Sequence, residues 1–156
     1  MKNILIVDDN QMIRDSLSSY LSHTLKNYTV LTAEDGVQAI KTMDSVPISL
    51  VLTDLEMPKV DGYGVIMHAK EHHPSVPVCI MTGSWSTDLL MLVRKLDLVP
   101  CIEKPFRFEE VEQMVTDLLE KRETISAGRS QYEGEGEPLP QPRMNIQAQQ
   151  YCGAYT

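Results

Sequence analysis

Carboxylates, a hydroxyl and an ammonium recur in this chain at the ends of short apolar runs. Asp8 and Asp9 follow Ile4-Leu5-Ile6-Val7, and Asp54 follows Ile48-Ser49-Leu50-Val51-Leu52-Thr53. Thr82 closes Val78-Cys79-Ile80-Met81, and Lys104 closes Cys101-Ile102-Glu103. A carboxylate is able to attack phosphorus and form an acyl phosphate. Mg²⁺ takes hard oxygen ligands and keeps several of its waters, so a few carboxylates suffice to hold it. A lysine supplies a compact second cation for phosphoryl oxygens, and a threonine hydroxyl donates to one of them. Metal-assisted phosphoryl transfer is the chemistry this set equips, provided that the residues meet. Three carboxylates gathered at one place repel one another unless a cation joins them.

The elements that must bring them together are legible from periodicity. Apolar, β-branched runs separated by helical stretches read as parallel strands buried on both faces. Strands are expected at about 3–7, 28–33, 48–53, 78–82 and 101–103, with helices at about 11–25, 36–45, 62–71, 86–96 and 107–122. Five βα units imply a doubly wound α/β sheet with right-handed crossovers. In such a sheet every strand delivers its last residue to the same edge, where open α/β folds bind ligands. The first helix is expected to bury Met12, Leu17, Leu21 and Leu25, capped by Asp9 or Asn10. Phe108, Val111, Val115, Leu118 and Leu119 form the apolar stripe of the last. Pro58 and Gly62 punctuate the loop after Asp54, and Pro105 fixes the turn after Lys104, with a cis bond as one option.

Composition narrows the function classes. A formal charge of -8 and a pI near 4.9 offer no basic stripe to nucleic acid. No apolar run reaches the ~20 residues of a membrane span, and Lys2 leads directly into a strand without a secretory pattern, so a cytoplasmic protein is expected. Cys79, Cys101 and Cys152 lack CxxC spacing. The two in strands read as reduced, buried thiols. Residues 123–156 are rich in Gly, Pro, Glu and Gln and are expected to form a disordered or loosely docked tail after a domain spanning 1–122.

Val7-Asp8-Asp9, Asp54-Leu55-Glu56-Met57-Pro58 with Asp61-Gly62, Thr82-Gly83 and Lys104-Pro105-Phe106 together resemble the receiver domain of two-component response regulators, over about residues 1–122. The resemblance implies a flavodoxin-like five-stranded sheet of order 2-1-3-4-5 with five helices. It implies Mg²⁺ held by Asp9, Asp54 and the backbone carbonyl of Glu56, with Asp8 acting partly through water. Asp54 would accept a phosphoryl group from a sensor histidine kinase or a histidine phosphotransfer protein, with Thr82 and Lys104 contacting it. Catalysis would be limited to the domain's own phosphotransfer and dephosphorylation. Read as a stand-alone receiver, the chain would signal through a downstream protein target.

Two positions depart from the family pattern. Receivers usually carry an aromatic switch residue three positions before the lysine, and Cys101 stands there instead; Trp85 is a candidate substitute. A tyrosine at 101 is expected to be tolerated if that face is open. The second departure is the Leu89-Leu90-Met91-Leu92-Val93 block, which makes the helix at 86–96 unusually apolar. With the helix at 107–122 it is the expected homodimer or partner face. Two rivals remain. A dehalogenase-like phosphatase also uses an aspartate nucleophile, but places it on the first strand. A pseudo-receiver that never carries phosphate is favoured only by Cys101.

Overall fold

Each β-branched run forms a strand, and the described amphipathic stretches form helices. In the computed structural model, which describes residues 2–57, 60–83, 91 and 100–129, the order is β1 (Lys2–Val7), α1 (Gln11–Thr24), β2 (Tyr28–Ala33), α2 (Gly36–Ser45), β3 (Ile48–Asp54), α3 (Gly62–His72), β4 (Val78–Thr82), β5 (Cys101–Glu103) and α4 (Phe108–Arg129). The strands pair in parallel in the order β2-β1-β3-β4-β5, which is the flavodoxin-like arrangement expected.

Side chains alternate across the sheet with a period of two. Leu5, Val7, Val51, Ile80 and Cys101 pack on one face with Ala39 and Met43 of α2 and Val65, Ile66 and Ala69 of α3. Ile4, Ile6, Leu50, Leu52, Cys79 and Met81 pack on the other with Leu17 and Leu21 of α1 and Val111, Val115 and Leu119 of α4. Both layers being covered is why the strands are apolar throughout. Arg122 ties α4 to the start of β3, its guanidinium donating to the Ser49 carbonyl at 2.8 Å. Tyr20 donates to Glu112 at 2.8 Å across α1 and α4; that bond, with burial and the charges of Glu112 and Glu109, pushes the phenol up to about 12.

Some expectations are corrected. Met12 is 77% exposed rather than buried. It lies in the first turn of α1, about 140° around the helix from Leu17 at ~100° per residue. Of the two expected caps, Asn10 is the one that closes α1, its side chain accepting from the N–H groups of Met12 and Ile13. The last helix continues past 122 to Arg129. Glu120-Lys121-Arg122-Glu123 are good helix formers, and the Thr124 hydroxyl bonds back to the Glu120 carbonyl at 3.0 Å. Of the helix expected at 86–96, only Met91 is among the described residues; it is helical and exposed. The rest of that helix, Trp85, Pro58 and the tail beyond 129 lie outside the described residues. No helix among the described residues is long and apolar enough to cross a membrane.

Candidate functional site

The C-terminal edge of the sheet gathers the predicted residues. Asp8 leaves β1 with its N–H on the Ala33 carbonyl at 3.2 Å. The Arg14 guanidinium donates to the Asp8 carbonyl at 2.7 Å, a strut that sequence reading missed although Arg14 lies only one helical turn into α1. Asp8 is fully buried, and its Oδ1 accepts the Asn10 N–H at 2.9 Å. Asp54, the last residue of β3, is 5% exposed. Its Oδ1 accepts the Glu56 N–H at 3.2 Å. Asp9 is exposed, yet one oxygen from each of Asp8, Asp9 and Asp54 lies within 4.8 Å of the others.

Lys104 joins this group from the end of β5. Its Nζ lies 2.6 Å from Asp8 Oδ2 and 2.9 Å from Asp54 Oδ2. The β4–β5 register sets it beside Thr82, whose carbonyl accepts the Lys104 N–H at 2.6 Å; Thr82 itself is buried. The Lys104-Pro105 peptide bond is cis.

The electrostatics follow from burial. Desolvation raises the Asp54 pKa, with the Asp8 charge adding to it; the hydrogen bond and charge of Lys104 and the Glu56 N–H oppose it without cancelling it. Burial acts to lower the Lys104 pKa, but bonding to Asp8 and Asp54 outweighs this, and the net shift is upward. Lys104 therefore stays charged, and three carboxylates against one ammonium leave two negative charges over. That excess, on hard oxygen donors, fits a divalent cation of the Mg²⁺ type.

Gly62 governs the loop that carries Glu56. It is the first residue of α3, and a Cβ there would lie 2.0 Å from the Asp54 carbonyl oxygen and 2.8 Å from Leu55 Cα. Its own N–H bonds the Leu55 carbonyl at 3.2 Å. The chain thus doubles back onto the residue after Asp54 at a distance only glycine allows.

Comparison with known proteins agrees with this fold. The family model described as "Response regulator receiver domain" matches residues 4–116. The chain belongs to this family. The probable transcriptional regulator ycf27 of Cyanidium caldarium is 34% identical over 84% of this chain. This chain spans about half (51%) of that relative's length. The response regulator protein TrrA of Thermotoga maritima, solved in complex with Mg²⁺ and BeF, superposes with a TM-score of 0.67 at 31% identity, covering 76% of this chain and all (100%) of TrrA. A CheY-like receiver from Methanospirillum hungatei shares the fold, with a TM-score of 0.73 at 23% identity over 80% of this chain and 98% of its own.

Cys101, at the position of the usual switch aromatic, is 3% exposed and packed among the core side chains. That face is not open, so a tyrosine there has to displace neighbours. Cys101→Tyr should lower stability by about 1–3 kcal/mol, the usual range for overpacking, as measured by urea unfolding. Cys79 and Cys101 are both reduced and buried, as expected, and they project to opposite faces of the sheet.

Proposed function

We propose that this receiver is a phosphorylation-dependent switch in which Asp54 takes a phosphoryl group from a histidine kinase or a histidine phosphotransfer protein. The observation that carries the reading is the Lys104 ammonium lying between the Asp8 and Asp54 carboxylates. Asp8, Asp9, Asp54 and the Glu56 carbonyl would hold Mg²⁺. The bound ion supplies positive charge to the phosphoryl oxygens. A carboxylate oxygen of Asp54 bonds to phosphorus as the P–N bond to the donor imidazole breaks, and that electron pair leaves with the imidazole nitrogen. Lys104 is already aimed at the acceptor, and Thr82 stands beside it on β4 to meet a phosphoryl oxygen. The new charge and acceptor oxygens then draw Thr82 and Lys104 toward the phosphoryl group. Two packings of the face built on β4, β5 and α4 are biased by that pull, and a partner protein or a second copy reads the difference.

Residues 1–122 carry this chemistry, and the tail is dispensable for it. The absence of a basic stripe directs the output to a protein rather than to nucleic acid, and the switch operates in the cytoplasm. Incubation with acetyl phosphate, in Mg²⁺ or in EDTA, tests the proposal. Uptake of one phosphoryl group that EDTA abolishes supports it, and uptake indifferent to EDTA contradicts it.

Lys104→Ala should still bind Mg²⁺, because a competing cation has been removed from the same oxygens. Its amide signals in Cys101–Glu103 should no longer move when beryllofluoride is added. NMR titration of the two proteins measures both effects.

A further inference from the structure

We propose that Asp44, His68 and His73 form a second cation site, suited to a late first-row divalent transition metal of which Zn²⁺ is the representative. Asp44 lies in the last turn of α2, His68 in the last turns of α3, and His73 is the residue that caps α3. The Nε2 atoms of His68 and His73 lie 2.8 Å and 3.1 Å from the same atom, Asp44 Oδ1. One ligand atom from each residue lies within 4.8 Å of the others. Both histidine side chains are largely covered, at 16% and 28% exposure, while Asp44 is 52% exposed and faces solvent. His72 stacks on the His68 ring at 4.3 Å and places its Nδ1 3.2 Å from the His68 carbonyl. The His68 ring is thereby held in the orientation that aims Nε2 at Asp44.

The donor set decides which ion fits. Two imidazoles and one carboxylate match zinc and its neighbours, whereas Mg²⁺ prefers an all-oxygen shell. Zn–N and Zn–O bonds of roughly 2.0–2.2 Å put tetrahedral ligand atoms about 3.3 Å apart. The two contacts on Asp44 Oδ1, at 2.8 Å and 3.1 Å, need to open by only a few tenths of an ångström to admit the ion, with the fourth position left to water on the Asp44 side. The cluster lies at the C-terminal ends of α2 and α3, and helices in a βαβ unit run back against the strands. It therefore sits at the sheet edge opposite Asp54, where a bound ion would clamp α2 to α3.

The two sites are separable in solution. With the full chain and Mg²⁺ in large excess, calorimetric titration should show one Zn²⁺ bound per chain. Zn²⁺ at a hundredfold excess over Kd should raise Tm by about 5–10 °C. D44N and H73Q each change a partly exposed side chain, and each should weaken Zn²⁺ binding by more than about tenfold, since even groups one shell further out are worth 10–100-fold. Perturbation of the His68 and His73 ring signals should accompany binding, and D9N should retain it. Absence of Zn²⁺ binding in Mg²⁺ overturns the proposal. So does binding that D44N and H73Q leave unchanged and D9N removes.

Discussion

Asp54→Asn should abolish phosphoryl uptake while leaving the metal-free fold as stable as before, or more so. The amide keeps the shape of the side chain but cannot form an acyl phosphate. The stability claim rests on the direction of the Asp54 shift. Burial, first, and the Asp8 charge, second, raise its pKa above the ordinary carboxyl value of 3.8. Folded Asp54 then holds its proton more tightly than the unfolded chain does. Its contribution is present below 3.8 and is lost as pH rises through the raised folded value. At neutral pH the ionised carboxylate is thus a net burden on the metal-free domain, even with Lys104 beside it. The asparagine variant should show a shallower fall in Tm with rising pH across that window, and differential scanning calorimetry in EDTA measures it. A wild-type Tm well above that of the variant at pH 7 would mean that the Lys104 pair outweighs the desolvation of Asp54.

Gly62→Ala should be among the most damaging single substitutions in the domain. Helix propensity alone favours alanine by about 0.5–1 kcal/mol at an interior helical position. Sterics reverse the sign, because the added Cβ meets the Asp54 carbonyl oxygen at 2.0 Å and the Asp54 carbonyl carbon at 2.8 Å. Both are backbone atoms of a buried strand end, with no flexible side chain to yield. A loss of about 3 kcal/mol, at the upper end for overpacking, is expected from urea unfolding. The strand end carrying Asp54 must shift to relieve the contact, so Mg²⁺ affinity should fall with stability. Unchanged stability would show that α3 can start one residue later without disturbing Asp54.

The features legible in the sequence were those set by the sheet itself. Strands buried on both faces announce themselves as apolar runs, and parallel strands deliver their last residues to one edge. Asp8, Asp9, Asp54, Thr82 and Lys104 could be grouped on that ground alone. Met12 was misplaced because a first-turn apolar residue satisfies a rough helical spacing while facing solvent, and Asn10 out-competed Asp9 as the cap through its β-region backbone. Gly62 was legible as punctuation but not as a steric necessity, since the clash is with residues that the loop brings back from Asp54 and Leu55. Asp44, His68 and His73 were invisible for a similar reason. His68 and His73 do have a zinc-ligand spacing, but their meeting with Asp44, 24 and 29 residues away, depends on how α2 and α3 lie side by side.

Locating the phosphoryl group on the chain tests the central claim most directly. Protein treated with a phospho-histidine donor in Mg²⁺ is trapped with borohydride or hydroxylamine, digested and sequenced by mass spectrometry. The predicted result is a single modified residue, Asp54, which borohydride converts to homoserine, or hydroxylamine to the hydroxamate, as the phosphate leaves. An acid-stable phosphate on a serine or threonine, or labelling that survives in Asp54→Asn, would contradict the account.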